Sequence, residues 1–151
     1  MELLDEQTEN KRFIEMLIYQ ADIPKKISEL RKINNPKLLF MFSYDYNWDD
    51  GFTIPFEIIK NPCCDMSTAL LLFERSEGYE FLPDPSSDID DDKEQAAFVK
   101  ELYNRIVKND FMLGQTAYQP VTSKVQIYKL KKLNPKVSDI FIKGIKLPED
   151  I

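Results

Sequence analysis

Residues Tyr44–Leu72, YDYNWDDGFTIPFEIIKNPCCDMSTALLL, contain the only Trp, both Cys and one of the four Gly of this 151-residue chain, and apolar residues flank them on both sides. The punctuation of this stretch decides the fold. After Asn47-Trp48-Asp49-Asp50, Gly51 can take the left-handed conformation that ends a helix, and the neighbouring acids compete for local backbone bonds. Thr53, with Pro55 in the first turn, opens the next helix, whose apolar face is Phe56, Ile58 and Ile59. Asn61-Pro62 breaks it. Asp65 then caps a further helix, its carboxylate near the positive end of the dipole. Because Ala69–Phe73 has no polar face, this helix belongs at the centre of the core.

Upstream, Asn35-Pro36 is another helix start, followed by LLFMFSYDY; the start signal favours a largely buried helix over a strand. Asp22, Ile23 and Pro24 open a shorter helix with Ile27, Leu30 and Ile33, ending near Asn34. Before it, Thr8 caps a helix to Gln20 with Phe13, Ile14, Leu17 and Ile18 on one face.

Downstream, Gly78 is the expected helix exit, and residues 83–92, PDPSSDIDDD, read as a solvated acidic linker. From Lys93 to Lys108 the apolar stripe is Ala97, Leu102 and Ile106 with Phe98, Val99, Tyr103 and Val107, and the Asp run before it complements the dipole. Phe111–Gln119 has no period and reads as a loop. Thr122 or Ser123 can cap a helix, although Val125–Leu130 fits a strand equally well. Asn134-Pro135 gives the start signal a third time, for a last short helix with Val137, Ile140, Phe141 and Ile145 near Gly144. The expected fold is all-α: stacked short helices and helical hairpins in one domain over 1–151, with 83–92 between its halves and a short strand near 124–130 as the one open point. The Asn-Pro sites at 35, 61 and 134 share no period, so no regular repeat is expected.

A folded chain of this length buries roughly 70% of its extended surface, so a true core is expected. There is no His, which excludes His-activated nucleophiles, imidazole acid-base chemistry and imidazole-based zinc sites. Adjacent Cys63 and Cys64 suit neither ordinary disulfide geometry nor a two-residue metal or redox spacing, and read as buried thiols. No export signal is evident in MELLDEQTEN, and the apolar runs 38–42 and 69–73 fall far short of the ~20 residues of a membrane helix. A cytoplasmic location without membrane contact is expected. The net charge is −6, yet residues 124–151 carry seven Lys against three acids. An acidic surface favours cationic partners and disfavours nucleic acid.

The series Tyr46-Asn47-Trp48-Asp49-Asp50-Gly51, Pro55, Ile58, Ile59, Asn61-Pro62, Cys64-Asp65 and Thr68-Ala69-Leu70 resembles a small bacterial family catalogued as domain of unknown function 4274. The resemblance spans Phe42 to Gly78; the region after Pro83 resembles no family. Ser67 departs from the family's usual Gly, which bears on how tight that turn is. The resemblance implies no activity, cofactor or catalytic residue. Thr68-Ala69-Leu70 is also similar to the helix start of ankyrin-like repeats, but the His and turn Gly of such repeats are absent, so only helical stacking follows.

Tyr46, Trp48, Asp49, Asp50 and Asp65 are the candidate binding residues, an aromatic beside carboxylates being a receptor for Arg or Lys. The bland reading has Trp48 in the core and the acids as caps. Asp88, Asp90, Asp91 and Asp92 do not make a calcium loop, since Lys93 and Val99 stand where Gly and Glu are needed. Lys124, Lys129, Lys131, Lys132, Lys136, Lys143 and Lys146 read as a solvated face. The functional expectation is a non-catalytic protein-binding domain without cofactor or metal, its partner basic, in one version a toxin that this chain neutralises as an immunity protein. Two alternatives stay open: a hydrolase or lyase using Asp49, Asp50 and Asp65, and a nucleic-acid-associated protein using the Lys-rich tail with Tyr128.

Overall fold

A computed structural model of the chain describes residues 6–85, 93–113 and 116–146. Two compact units divide it, Met1–Cys64 and Asp65–Ile151. The first holds α1 (Glu6–Ile18), α2 (Ile23–Lys32), α3 (Pro36–Asp45), a 3-10 turn at Trp48–Asp50 and α4 (Thr53–Lys60). The second holds α5 (Met66–Arg75), a 3-10 turn at Gly78–Glu80, α6 (Lys93–Val107), α7 (Lys124–Leu133) and α8 (Ile140–Lys143). Among the described residues there is no strand, only two isolated bridges, so the fold is all-α. No helix among them is long and apolar enough to cross a membrane.

In the first unit α1 packs on α3, and α4 packs on both α2 and α3. Leu17, Leu30, Phe42 and Ile58 are among the buried side chains. The Asp22 side chain accepts from the Lys25 amide at 3.2 Å to start α2, and the Asn35 side chain accepts from the Lys37 amide at 3.0 Å to start α3. Helix α1 has no basic residue in its last turn. Lys26 of α2 fills that role: 4% exposed, it donates from Nζ to the Ile18 carbonyl at 3.0 Å and stands 5.8 Å from the centroid of the Phe42 ring. Asn61, just past α4, ties α4 to the end of α2 by donating from Nδ2 to the Leu30 and Ile33 carbonyls at 3.0 and 3.1 Å.

In the second unit α5 buries every residue from Met66 to Phe73, and α6 packs against it. A ring cluster supports its far end: Phe73 and Phe141 lie 4.9 Å apart between centroids, and Tyr103 stacks on Phe141 at 5.6 Å and 7°. Ser123 and Gln126 form a capping box that fixes the start of α7. Tyr118 and Ile145 exchange backbone bonds at 2.9 Å, holding the loop before α7 to the chain after α8.

Several expectations need correction. The span 124–130, open between helix and strand in the sequence, is helix, started by the Ser123 cap and its capping box with Gln126. Thr8 lies inside α1 and does not cap it, and α4 starts at Thr53 itself, behind Phe52. Gly51, at φ +88°, closes the 3-10 turn, since α3 has already ended at Asp45. The left-handed residue after α5 is Glu77 (φ 68°); at Gly78 a Cβ would come 2.6 Å from the Phe73 ring and carbonyl, so close packing requires glycine there. In α6 Ala97 and Val107 are exposed and Ala96 is buried in their stead. Asn134 opens no helix; α8 begins at Ile140. Ser67 sits within α5, not in a turn. Asp88, Asp90, Asp91 and Asp92, with their proposed role at the start of α6, lie outside the described residues, as does Gly114.

Candidate functional site

Four of the five sequence candidates, Tyr46, Trp48, Asp49 and Asp50, share one turn of the first unit. Asn47 sets it: its side chain accepts from the Asp49 amide at 3.0 Å, and its carbonyl accepts from the Asp50 amide at 3.0 Å. Tyr46 closes it from beneath, its hydroxyl donating to the Gly51 carbonyl at 2.6 Å. The rings of Tyr46 and Trp48 meet edge-on at 5.3 Å, Trp48 and Phe52 at 5.7 Å, and Phe42 backs Tyr46 at 6.3 Å. Burial, with the Asp50 carboxylate second, pushes the Tyr46 phenol well above its usual range, so it stays a neutral donor. Trp48 is half-buried while Asp49 and Asp50 are exposed. The turn thus carries two exposed carboxylates next in sequence to a half-buried indole packed against Tyr46 and Phe52.

Asp65 belongs to the second unit and has a different position. It is 1% exposed; Oδ1 accepts from the Thr68 amide at 3.0 Å and Oδ2 from the Thr116 hydroxyl at 2.7 Å. Ser67 Oγ donates to the Thr116 carbonyl at 2.7 Å, and the Met66 amide donates to the Met112 carbonyl at 2.8 Å. These bonds pin the loop after α6 to the start of α5. The carboxylate works as a helix cap with a second ligand from that loop. Cys64 is buried and Cys63 half-buried, both as thiols, and Cys63 Sγ donates to the Ile33 carbonyl at 3.5 Å. Among the described residues no three acids or cysteines gather closely enough to hold a metal ion.

Two features of the second unit had no counterpart in the sequence reading. Glu74, on α5, accepts from the Tyr118 hydroxyl and, at 3.3 Å, from the Val121 amide. Tyr79 donates its hydroxyl to the Phe141 carbonyl; burial, then Glu74 and Tyr118, raise its phenol far above the ordinary value. Beside Tyr79 lies a groove of about 260 Å³ between α7 and α8, lined among others by Ile127, Leu130, Leu133, Ile142 and Lys129. The strand-like alternation of 125–130 hid it, because that period puts Ile127 and Leu130 on opposite faces whereas a helix puts them on one.

These features define a class first: a helical, His-free chain with an acid-aromatic turn on one unit and an apolar groove beside a Lys-rich helix on the other. Residues 34–107 match the family model described as Domain of unknown function (DUF4274). The match includes the Phe42–Gly78 resemblance and extends beyond Pro83 to the end of α6, so the region after Pro83 is not wholly without relatives; α7 and α8 lie past the matched segment. No curated protein and no solved structure shows significant similarity to the chain.

Proposed function

We propose that this is a non-catalytic protein-binding domain whose Trp48–Asp50 turn receives a cationic side chain from a basic partner. The observation that carries this reading is the fixed turn: Asn47 and Tyr46 hold it from both sides, and its two acids point to solvent next to Trp48. An Arg or Lys could then be met by carboxylate and ring without ordering a loop first, which lowers the cost of binding. Tyr46 positions the turn and Asp65 caps α5, so neither needs to touch the partner. In the narrower version the partner is a basic toxin and this chain its immunity protein, supported by the net charge of −6 and the lack of His. The hydrolase or lyase alternative needs a substrate to reach Asp65, which is buried with both oxygens engaged.

Trp48, the single Trp, is its own reporter. Titration with oligo-arginine at low salt should change its emission saturably, and Asp49→Asn with Asp50→Asn should weaken that response by roughly tenfold. An equal response to oligo-glutamate, or none, overturns the reading. Calorimetry against the product of an adjacent reading frame tests the immunity version, which is lost if no heat of binding appears at low salt.

A further inference from the structure

Helix α7 buries none of its ten residues. A helix that short is marginal in water without a packed face, as isolated helices under ~12–15 residues are. Yet its apolar residues are plentiful: Ile127, Leu130 and Leu133 line the groove toward α8, with Leu133 still 66% exposed. Charge marks the same surface. Between Lys124 and Lys146 stand seven Lys and one acid, Asp139, which pairs with Lys143 at 3.7 Å; within the described residues none of the other six is in an ion pair. This is a strongly positive patch on a chain of net charge −6.

We propose that the α7–α8 groove docks an acidic amphipathic protein segment, its apolar side chains entering between Ile127, Leu130, Leu133 and Ile142 and its carboxylates facing Lys129, Lys131 and Lys132. Three observations favour that occupant. The groove's volume of about 260 Å³ is below the ~300–1,000 Å³ of pockets that enclose a small-molecule ligand, and suits anchor side chains from a longer chain. Its lining balances Lys129 against Glu80, while Lys124, Lys131, Lys132 and Lys136 stand on and after α7 around it with no acid between Lys124 and Ser138, so the surrounding charge favours a negative partner. Of its two lining rings Phe141 is fully buried and Tyr79 is packed against it, and Tyr128, the exposed ring of α7, is not among the lining residues, which disfavours the base stacking that single-stranded nucleic acid requires. Recognition would follow helix-in-groove logic, apolar anchors for affinity and flanking charge for orientation. None of it rests on the Trp48–Asp50 turn.

The test uses the full chain and a short fluorescein-labelled peptide with Leu at helical spacing and Glu elsewhere, read by anisotropy at low salt. Saturable binding is expected, with a scrambled peptide of the same composition at least roughly tenfold weaker. Lys129→Glu, Lys131→Glu and Lys132→Glu together should reduce affinity by roughly tenfold or more and transfer preference to the Lys-for-Glu peptide. Leu133→Asp should weaken binding of the acidic peptide while circular dichroism stays that of the parent, since its side chain is largely in solvent. The proposal is overturned if the scrambled peptide binds as well, if no saturable signal appears, or if vesicles of phosphatidylserine or single-stranded RNA bind while the peptide does not.

Discussion

Asn61 has all the hydrogen-bonding atoms of its carboxamide engaged: Nδ2 donates to Leu30 and Ile33, and Oδ1 accepts from the Cys63 amide at 2.9 Å. It is also nearly buried, so water cannot replace what a substitution removes. Asn61→Ala should therefore cost about 2–3 kcal/mol, the penalty of leaving buried backbone groups without partners. Urea unfolding measures it; a loss below ~0.5 kcal/mol would mean the end of α2 finds other donors. The break at Asn61-Pro62 was legible in the sequence, but its clasping role was not, because the two carbonyls lie 31 and 28 residues upstream. Asp65 was easier, since a cap bonds the Thr68 amide three residues on, within the reach of local pattern. Its second ligand, Thr116, is again remote in sequence.

At the level of elements, helix starts were read well where the signal is local, as at Asp22 and Asn35 before a Pro in the first turn. The same signal failed at Asn134. All three Asn-Pro sites make one device, the Asn side chain accepting the amide two residues on, at Lys37, Cys63 and Lys136. A helix follows directly only at Asn35; Asn61 and Asn134 both also donate from Nδ2 to distant carbonyls, Asn134 to that of Leu82 at 2.8 Å. Helices α2 and α4 are further joined by Arg31, whose guanidinium makes two bonds to Glu57 at 2.9 and 3.1 Å. That hydrogen bond holds the Glu57 carboxyl below the usual carboxylate range, partly offset by burial. A carboxyl whose folded value is lowered adds stability above its unfolded value, and that stability is lost as pH falls through the folded one. Glu57→Gln should thus lower the melting temperature near pH 7 and lose that deficit on acidification below about pH 4, near the carboxyl's unperturbed range. Melting curves across pH decide it; a deficit unchanged at low pH would point to packing.

At the scale of the molecule, all-α stacking was predictable because the apolar runs are short and each is bounded by caps or Pro. The division at Cys64/Asp65 was not, since no Gly- or Ser-rich linker marks it. We propose that the two units nevertheless unfold as one domain. Trp48 reports the first unit alone, whereas far-ultraviolet circular dichroism reports helices of both. The two signals should give coincident urea transitions; separated midpoints would make this a two-domain chain. The recurrent Asn-Pro pairs also bear on how the protein ages. Deamidation proceeds when the next residue's amide nitrogen attacks the Asn side chain, and proline has no N–H with which to do so. Asn35, Asn61 and Asn134, three of the asparagines that hold the framework, are thereby shielded from that chemistry. Slow conversion to aspartate on storage should fall instead on asparagines outside helices and not followed by Pro, such as Asn109, leaving the three Asn-Pro joints intact.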